Sequence, residues 1–362
     1  MKIYLVGGAV RDKLLGRVHT EKDWVVVGAT PEEMLKQGYR QVGKDFPVFL
    51  HPKTHEEYAL ARTERKVGRG YKGFVFDTSP GVTLEEDLIR RDLTINAMAE
   101  TMEGKLIDPY HGKADLDKKI LRHVSNAFAE DPVRILRTAR FAARFAELGF
   151  TVADETMGLM KKIVQAGEVN ALVPERVWKE LERALSENHP EIFFIVLMAC
   201  DALPILFKEL VNNTQGNEAL VRASQLTPDL SIRFAAMLSV LSVEDVKALC
   251  ARYRVPSEYS EMAVLAALHV LRAAEAETFT AEELADLFQV LDAYRRPARF
   301  QKFLTVCKAA TPHAPLAILQ KCFTEAKEVD TKMLAANLKG KEIADFLYQE
   351  RIKKIKKVLK DK

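Results

Sequence analysis

Several things are scarce in this sequence, and each shortage excludes something. No uninterrupted apolar run approaches the ~18–20 residues that a helix needs to span a bilayer, so no membrane partner is expected. The first residues, Met1-Lys2-Ile3-Tyr4-Leu5-Val6-Gly7-Gly8, hold too short an apolar stretch for a secretory signal and no small-residue cleavage site. They read instead as a short buried strand entering a glycine turn. Only four cysteines occur, Cys200, Cys250, Cys307 and Cys322, far apart and without CxxC spacing. Buried free thiols in a reducing cytoplasm fit that pattern better than a disulfide framework or a metal cage. Internal repeats and low-complexity tracts are absent. Net charge is only +3, which says little about polyanion binding, but its distribution is uneven. From Arg351 to Lys362 there are seven basic residues and one acidic. Such a terminal stretch is either a solvated helix or an element that attracts a polyanion.

What is present describes an ordinary globular chain, 48% hydrophobic and 29% charged. Its 362 residues exceed one compact core and suit two to four modules. Roughly the first 110 residues carry short β-type runs at Lys2–Val6, Asp23–Val27, Val48–His51 and Glu57–Arg62. Thr30-Pro31-Glu32-Glu33 combines an N-cap threonine, a first-turn proline and a capping-box glutamate, which starts a helix over Pro31–Gln37. After about Gly112 the apolar residues recur at three- and four-residue spacing, in Ile135–Phe145, Val177–Leu185, Ile192–Met198, Ala263–Ala274 and Leu284–Tyr294. Pro174, Pro190, Pro204, Pro228 and Pro256 punctuate the joins. The expected fold is α+β: a mixed α/β head followed by an all-α extension.

Four constellations could carry chemistry. Gly7-Gly8-Ala9-Val10-Arg11-Asp12 follows the first strand. Two glycines let backbone approach a ligand closely, the next helix offers free N–H groups, and Arg11 supplies donors suited to phosphate oxygens. Glu21-Lys22-Asp23 opens the second strand, where residues two apart share a face. That pair of carboxylates suits hard divalent cations bridging to a triphosphate. Arg90-Arg91-Asp92-Leu93-Thr94-Ile95-Asn96-Ala97 puts a phosphate clamp, Arg91, beside Asp92 and Asn96, which could hold backbone or ribose. Glu130-Asp131-Pro132-Val133-Arg134 begins a helix capped by Asp131, with Arg134, Arg137 and Arg140 following at intervals of three. A carboxylate beside a guanidinium can pair with the Watson–Crick edge of a base. A basic solvent-facing helix would show the same row.

Taken in order, these motifs resemble the class II tRNA nucleotidyltransferases, the CCA-adding family, and their poly(A) polymerase relatives. The likeness covers roughly residues 1–185, and Lys2–Asp12, Asp23–Ala29, Gln41–Lys66 and Val177–Lys179 read like the proteobacterial type. The resemblance implies a Mg²⁺-dependent enzyme that adds C, C and A to the 3′ end of tRNA from CTP and ATP, with the protein as template. It implies a head (1–120) with the metals and triphosphate, a helical neck (121–185) that reads the nucleotide, a helical body (186–300) and a basic helical tail (301–362) gripping tRNA. Carried over position by position, Gly8 and Arg11 would contact the triphosphate, Glu21 and Asp23 would hold Mg²⁺ and be catalytic, and Arg91 would contact the incoming nucleotide. Asp131 and Arg134 would read its base, with Arg137 and Arg140 supporting the site. Glu57 is a candidate third carboxylate. The stretch Val67–Gly81, with Gly68, Gly70 and Gly73, resembles the family's flexible loop associated with the final adenosine.

Two departures stand out. The family has aspartate where this chain has Glu21; the extra methylene displaces the oxygens by about an ångström, enough to slow an in-line reaction. Longer relatives carry a phosphohydrolase domain marked by adjacent His-Asp, and this chain has no such pair, with His269 the only histidine between residues 190 and 312. No phosphatase or phosphodiesterase activity is expected. Poly(A) synthesis and non-catalytic tRNA binding are the alternative functions.

Overall fold

The computed structural model describes residues 1–18, 22–42, 48–66, 74–329 and 341–360. The chain divides into two compact units: Met1–Ala184 with Ile192–Lys208, and Leu185–Glu191 with Glu209–Lys362.

The first unit opens with β1 (Lys2–Val6), α1 (Gly8–Leu14), β2 (Asp23–Val27), α2 (Pro31–Lys36), β3 (Arg40–Val42), β4 (Val48–Leu50) and β5 (Glu57–Leu60). It continues through β6 (Thr63–Lys66), β7 (Phe74–Asp77), α3 (Leu84–Ile89), β8 (Ala99–Thr101), β9 (Leu106–Ile107) and α4 (Gly112–Lys118). Seven strands form one sheet in the order β3-β4-β5-β2-β1-β8-β9. Within this sheet, among the described residues, only β2 and β5 pair in parallel; the other pairings are antiparallel. The period of two along each strand sends alternate residues to opposite faces. Val6, Val25, Ala97 and Ala99 pack with Leu84 and Leu88 of α3 on one side. Val26, Phe49, Tyr58 and Leu60 pack with Met34 of α2 on the other. Both helices begin at capping boxes, Thr30 with Glu33 and Thr83 with Glu86.

The four strands named from the sequence and the Pro31 helix lie where the sequence puts them, to within two residues. Other strands are not read from the sequence: Arg40–Val42, Ala99–Thr101 and Leu106–Ile107 join the sheet, and Phe74–Asp77, which the sequence assigns to the Val67–Gly81 loop, pairs antiparallel with Thr63–Lys66. Gly68, Gly70 and Gly73 lie outside the described residues.

The rest of the unit is helical: α5 (Val133–Arg144), α6 (Asp154–Gln165), α7 (Pro174–Leu185), α8 (Glu191–Ala199) and α9 (Leu203–Leu206). Two short strands interrupt it, β10 (Ile120–Leu121) and β11 (Thr151–Val152), paired in parallel. Helical periodicity cannot reveal two-residue strands, because they bury too little to leave a pattern. α5 is the most deeply placed helix, with Val133–Leu136 and Thr138–Ala143 all buried.

The second unit is wholly helical among its described residues: α10 (Thr214–Leu226), α11 (Leu230–Leu238), α12 (Val243–Arg252), α13 (Ser257–Ala274), α14 (Ala281–Val290), α15 (Pro297–Ala310), α16 (Leu316–Lys327) and α17 (Lys341–Lys360). Its centre is α11, packed by α10, α13 and α15. Phe234–Leu238 are fully buried apolar core. Gly216 of α10 meets α11 so closely that a Cβ would stand 2.1 Å from the Met237 carbonyl oxygen. The buried Arg233 guanidinium donates to the carbonyls of Leu185, Glu187, Ser224 and Thr227. All four cysteines are buried free thiols. The basic row on α17 is partly engaged: Arg351 stacks 3.6 Å from the Tyr294 ring centroid, Lys353 pairs with Glu350 and Lys356 with Glu282.

Candidate active site

The site is built where β1, β2 and β5 meet α1. β1 ends at Val6, whose register partner on β2 is Asp23. On the other side of β2, Asp23 pairs in register with Glu57 of β5. Parallel register partners project to the same face, so two exposed carboxylates stand side by side, on strands about 4.8 Å apart. Glu21 lies outside the described residues. Among the described residues no three His, Cys, Asp or Glu side chains form a metal cage. Asp23 and Glu57 are nevertheless hard oxygen donors at one strand end, which suits a cation that keeps several waters.

Beside them the chain turns at Gly7, with φ 69°. A Cβ there would lie 2.9 Å from Nη1 of Arg91, so glycine serves both the left-handed backbone and the close approach of the guanidinium. Gly8 is the first residue of α1. Arg91 reaches this turn from the segment after α3. Its Nη2 donates to Asp87 (3.2 Å), its Nη1 makes a long contact with the Asn96 carbonyl (3.5 Å), and its buried Nε has no partner.

Arg11 is placed differently from its expected role as an open phosphate donor. Its side chain is 4% exposed. Nε and Nη2 donate to Asp12 (2.8 and 3.0 Å), Nη1 donates to Asn96, and Phe141 and Phe145 flank it at 5.2 and 5.1 Å. Burial lowers its pKa, yet guanidinium stays charged at any physiological pH. Arg11 therefore begins a buried chain of alternating charge. Asn96 donates to Asp92, Asp92 accepts from Arg137 (2.7 Å), and Arg140 donates to Glu180 (2.7 Å). Asp92 also holds the backbone N–H of Leu93 (2.9 Å). Burial alone would raise the Asp92 pKa; Arg137 and the hydrogen bond from Asn96 outweigh it and hold the carboxyl far below the ordinary carboxylate range. Asp92 raises the Arg137 pKa in return.

The expected base-reading pair sits at the start of α5. Pro132, not Asp131, occupies the N-cap, but the Asp131 carboxylate still accepts from the Val133 N–H at 3.3 Å. Asp131 is also held by both terminal nitrogens of Arg176 (3.1 and 2.7 Å). Arg134 is buried and donates to the carbonyls of Ala127 (2.7 Å) and Arg90 (2.6 Å). The arginine row is thus no solvent-facing stripe: Arg134 and Arg140 are 8% and 6% exposed.

Sequence reasoning missed Asp12, Asp87, Arg176 and Glu180. Arg176 and Glu180 stand four apart on α7, a spacing that puts both on one helix face. Their partners are 40 and 45 residues away, so no local signal names them.

A family model described as "Poly A polymerase head domain" matches residues 3–122, and one described as "Probable RNA and SrmB- binding site of polymerase A" matches residues 149–213. A CCA-adding enzyme of Pseudomonas putida is 54% identical over 362 residues, covering 98% of both chains. A solved complex of a CCA-adding enzyme with ATP is similar in fold, with TM-score 0.73 and 23% identity over 99% of this chain and 88% of that one. The Thermotoga maritima CCA-adding enzyme complexed with tRNA_CCA is similar too, with TM-score 0.67 and 24% identity over 99% and 90%. No helix among the described residues is long and apolar enough to cross a membrane. On this near full-length likeness, and with the four motifs in order, the chain belongs to the CCA-adding enzymes of the class II nucleotidyltransferases.

Proposed function

We infer that this protein adds C, C and A in turn to the 3′ end of tRNA, using CTP and ATP, without a nucleic-acid template and with release of pyrophosphate. The observation that carries the reading is the meeting of Asp23, Glu57, the Gly7–Gly8 turn and Arg91 at one end of the head sheet. Family membership implies a catalytic divalent cation, and Mg²⁺ is the ion we assign. Asp23 and Glu21 would hold it, with Glu57 as a third oxygen donor. When bound, it supplies Lewis-acid activation of the attacking hydroxyl and offsets charge on the triphosphate.

The chain's own residues do the rest. Gly8 lets the triphosphate approach backbone, and Arg91, partly exposed with Nη1 against Gly7, donates to its oxygens. Arg11, enclosed by Asp12, Asn96, Phe141 and Phe145, fixes α1 beneath that contact instead of touching the triphosphate. Asp131 and Arg134 face the base. A carboxylate has about four lone-pair positions, and Arg176 with the Val133 N–H occupies three of those on Asp131. The remainder can accept from an exocyclic amine, which cytosine and adenine share and which guanine and uracil replace by a carbonyl at the corresponding position. Such a reader admits both correct nucleotides and repels both wrong ones. Arg137 and Arg140 fix α5 to Asp92 and Glu180, so they support the reader.

The four-part division, head 1–120, neck 121–185, body 186–300 and tail 301–362, fits this assignment, with head and neck in one unit and the basic tail on tRNA. Action in the cytoplasm follows from the substrate. The test is extension of a tRNA transcript lacking its 3′ end, with products resolved to one nucleotide. Three additions in the order C, C, A, abolished by Asp23→Ala, are expected. A long adenosine ladder would make the protein a poly(A) polymerase, and tRNA binding without extension in Mg²⁺ or Mn²⁺ would make it a binding protein.

A further inference from the structure

Asp87 sits on α3, just before the Arg90–Asn96 motif, and is 0% exposed. Three residues converge on its carboxylate. Oδ1 accepts from Nη2 and Nε of Arg90 (2.5 and 3.2 Å) and from the backbone N–H of Arg62 (3.3 Å). Oδ2 accepts from Nη2 of Arg91 (3.2 Å). Arg90 closes the arrangement by donating to the Arg62 carbonyl (3.0 Å), and its own carbonyl accepts from Arg134. A fully buried carboxylate between two guanidiniums is costly to form unless every partner is placed. Here the two arginines hold its pKa below the ordinary range against the opposing effect of burial.

Arg91 has five N–H donors. Asp87 takes one through a charged bond, the Asn96 carbonyl makes a 3.5 Å contact, and Nε is buried without a partner. Only the Asp87 bond is short enough to set the direction of the guanidinium, which lies against Gly7. We propose that Asp87 is a positioning residue for nucleotidyl transfer: it aims Arg91 at the Gly7–Gly8 turn, where the triphosphate binds. The inference rests on Arg91 being a nucleotide contact, as the function above has it.

The experiment is a double-mutant cycle on the full-length protein in Mg²⁺, reading CTP and ATP affinity without RNA and kcat and KM with tRNA. Arg91→Ala is expected to weaken both nucleotides by about tenfold or more, the worth of a charge-assisted bond. Asp87→Asn should weaken them by about tenfold in the wild-type background, raising KM more than it lowers kcat. In the Arg91→Ala background Asp87→Asn should change affinity by less than about twofold, since the residue it orients is gone. Asp87→Glu should recover part of the loss. Where Asp87→Asn fails to fold, Asp87→Asn with Arg90→Gln removes both members of the buried pair and still leaves Arg91 unguided. If Arg91→Ala leaves affinity unchanged, the assignment of Arg91 is wrong. If Arg91→Ala weakens binding but Asp87→Asn does not, or if the two losses multiply, Asp87 has no positioning role.

Discussion

Asp23 and Glu57 are register partners across the parallel pairing of β2 with β5, and both are exposed at its end. Residues so paired share a face, so we propose Glu57 as an oxygen donor beside Asp23. Glu57→Gln removes a charge while keeping size and should lower kcat by about a hundredfold, within the several kcal/mol a metal contributes. Raising Mg²⁺ or substituting Mn²⁺ should restore part of it. An unchanged kcat in single-turnover extension would remove Glu57 from the site.

Glu21 is longer by one methylene than the aspartate of the family. Activity should survive at a reduced rate, and Glu21→Asp should raise kcat, because an ångström of misplacement is costly in an in-line reaction. An equal or lower rate in Glu21→Asp would show that the site is adapted to glutamate.

Arg140 and Glu180 are each 7% exposed and meet at 2.7 Å. Removing one partner leaves a buried charge, so Arg140→Gln should cost about 3–5 kcal/mol in denaturant unfolding. Adding Glu180→Gln should recover a large share of that loss. Equal losses in the single and double variants would mean that Arg140 acts through something other than this pair.

The depressed pKa of Asp92 predicts a pH dependence with a definite sign. A carboxyl whose folded pKa lies below its ordinary value of 3.8 adds stability that is complete above that value and is lost as pH falls through the folded one. The stability gap between wild type and Asp92→Asn should therefore be constant from about pH 7 to about pH 5 and shrink near pH 3. Urea unfolding at those values checks it, and a gap that widens on acidification would contradict the charged Asp92–Arg137 pair.

Much of the fold is legible in sequence because its cues are local. The capping box at Thr30, the alternation along Lys2–Val6 and Asp23–Val27, and the helical spacing beyond Gly112 each act within one element. The Phe74–Asp77 strand was not legible, because its glycine-rich surroundings mark a loop and only pairing with Thr63–Lys66 makes it a strand.

The sequence by itself determined which chemistry is present: a glycine turn with Arg11, an acidic strand start, the Arg90–Asn96 segment and the Asp131–Arg140 row, in the order of a known family. Tertiary structure decided which of these groups are enclosed and which are left open. It set Glu57 beside Asp23, enclosed Arg11 between Asp12, Asn96 and two phenylalanines, bound Asp131 to Arg176 and buried Asp87 against Arg91. The reason is physical. Spacing rules describe neighbours within one helix or strand. A buried charge finds its partner across elements, and the cost of leaving it unpaired is settled only when those elements pack.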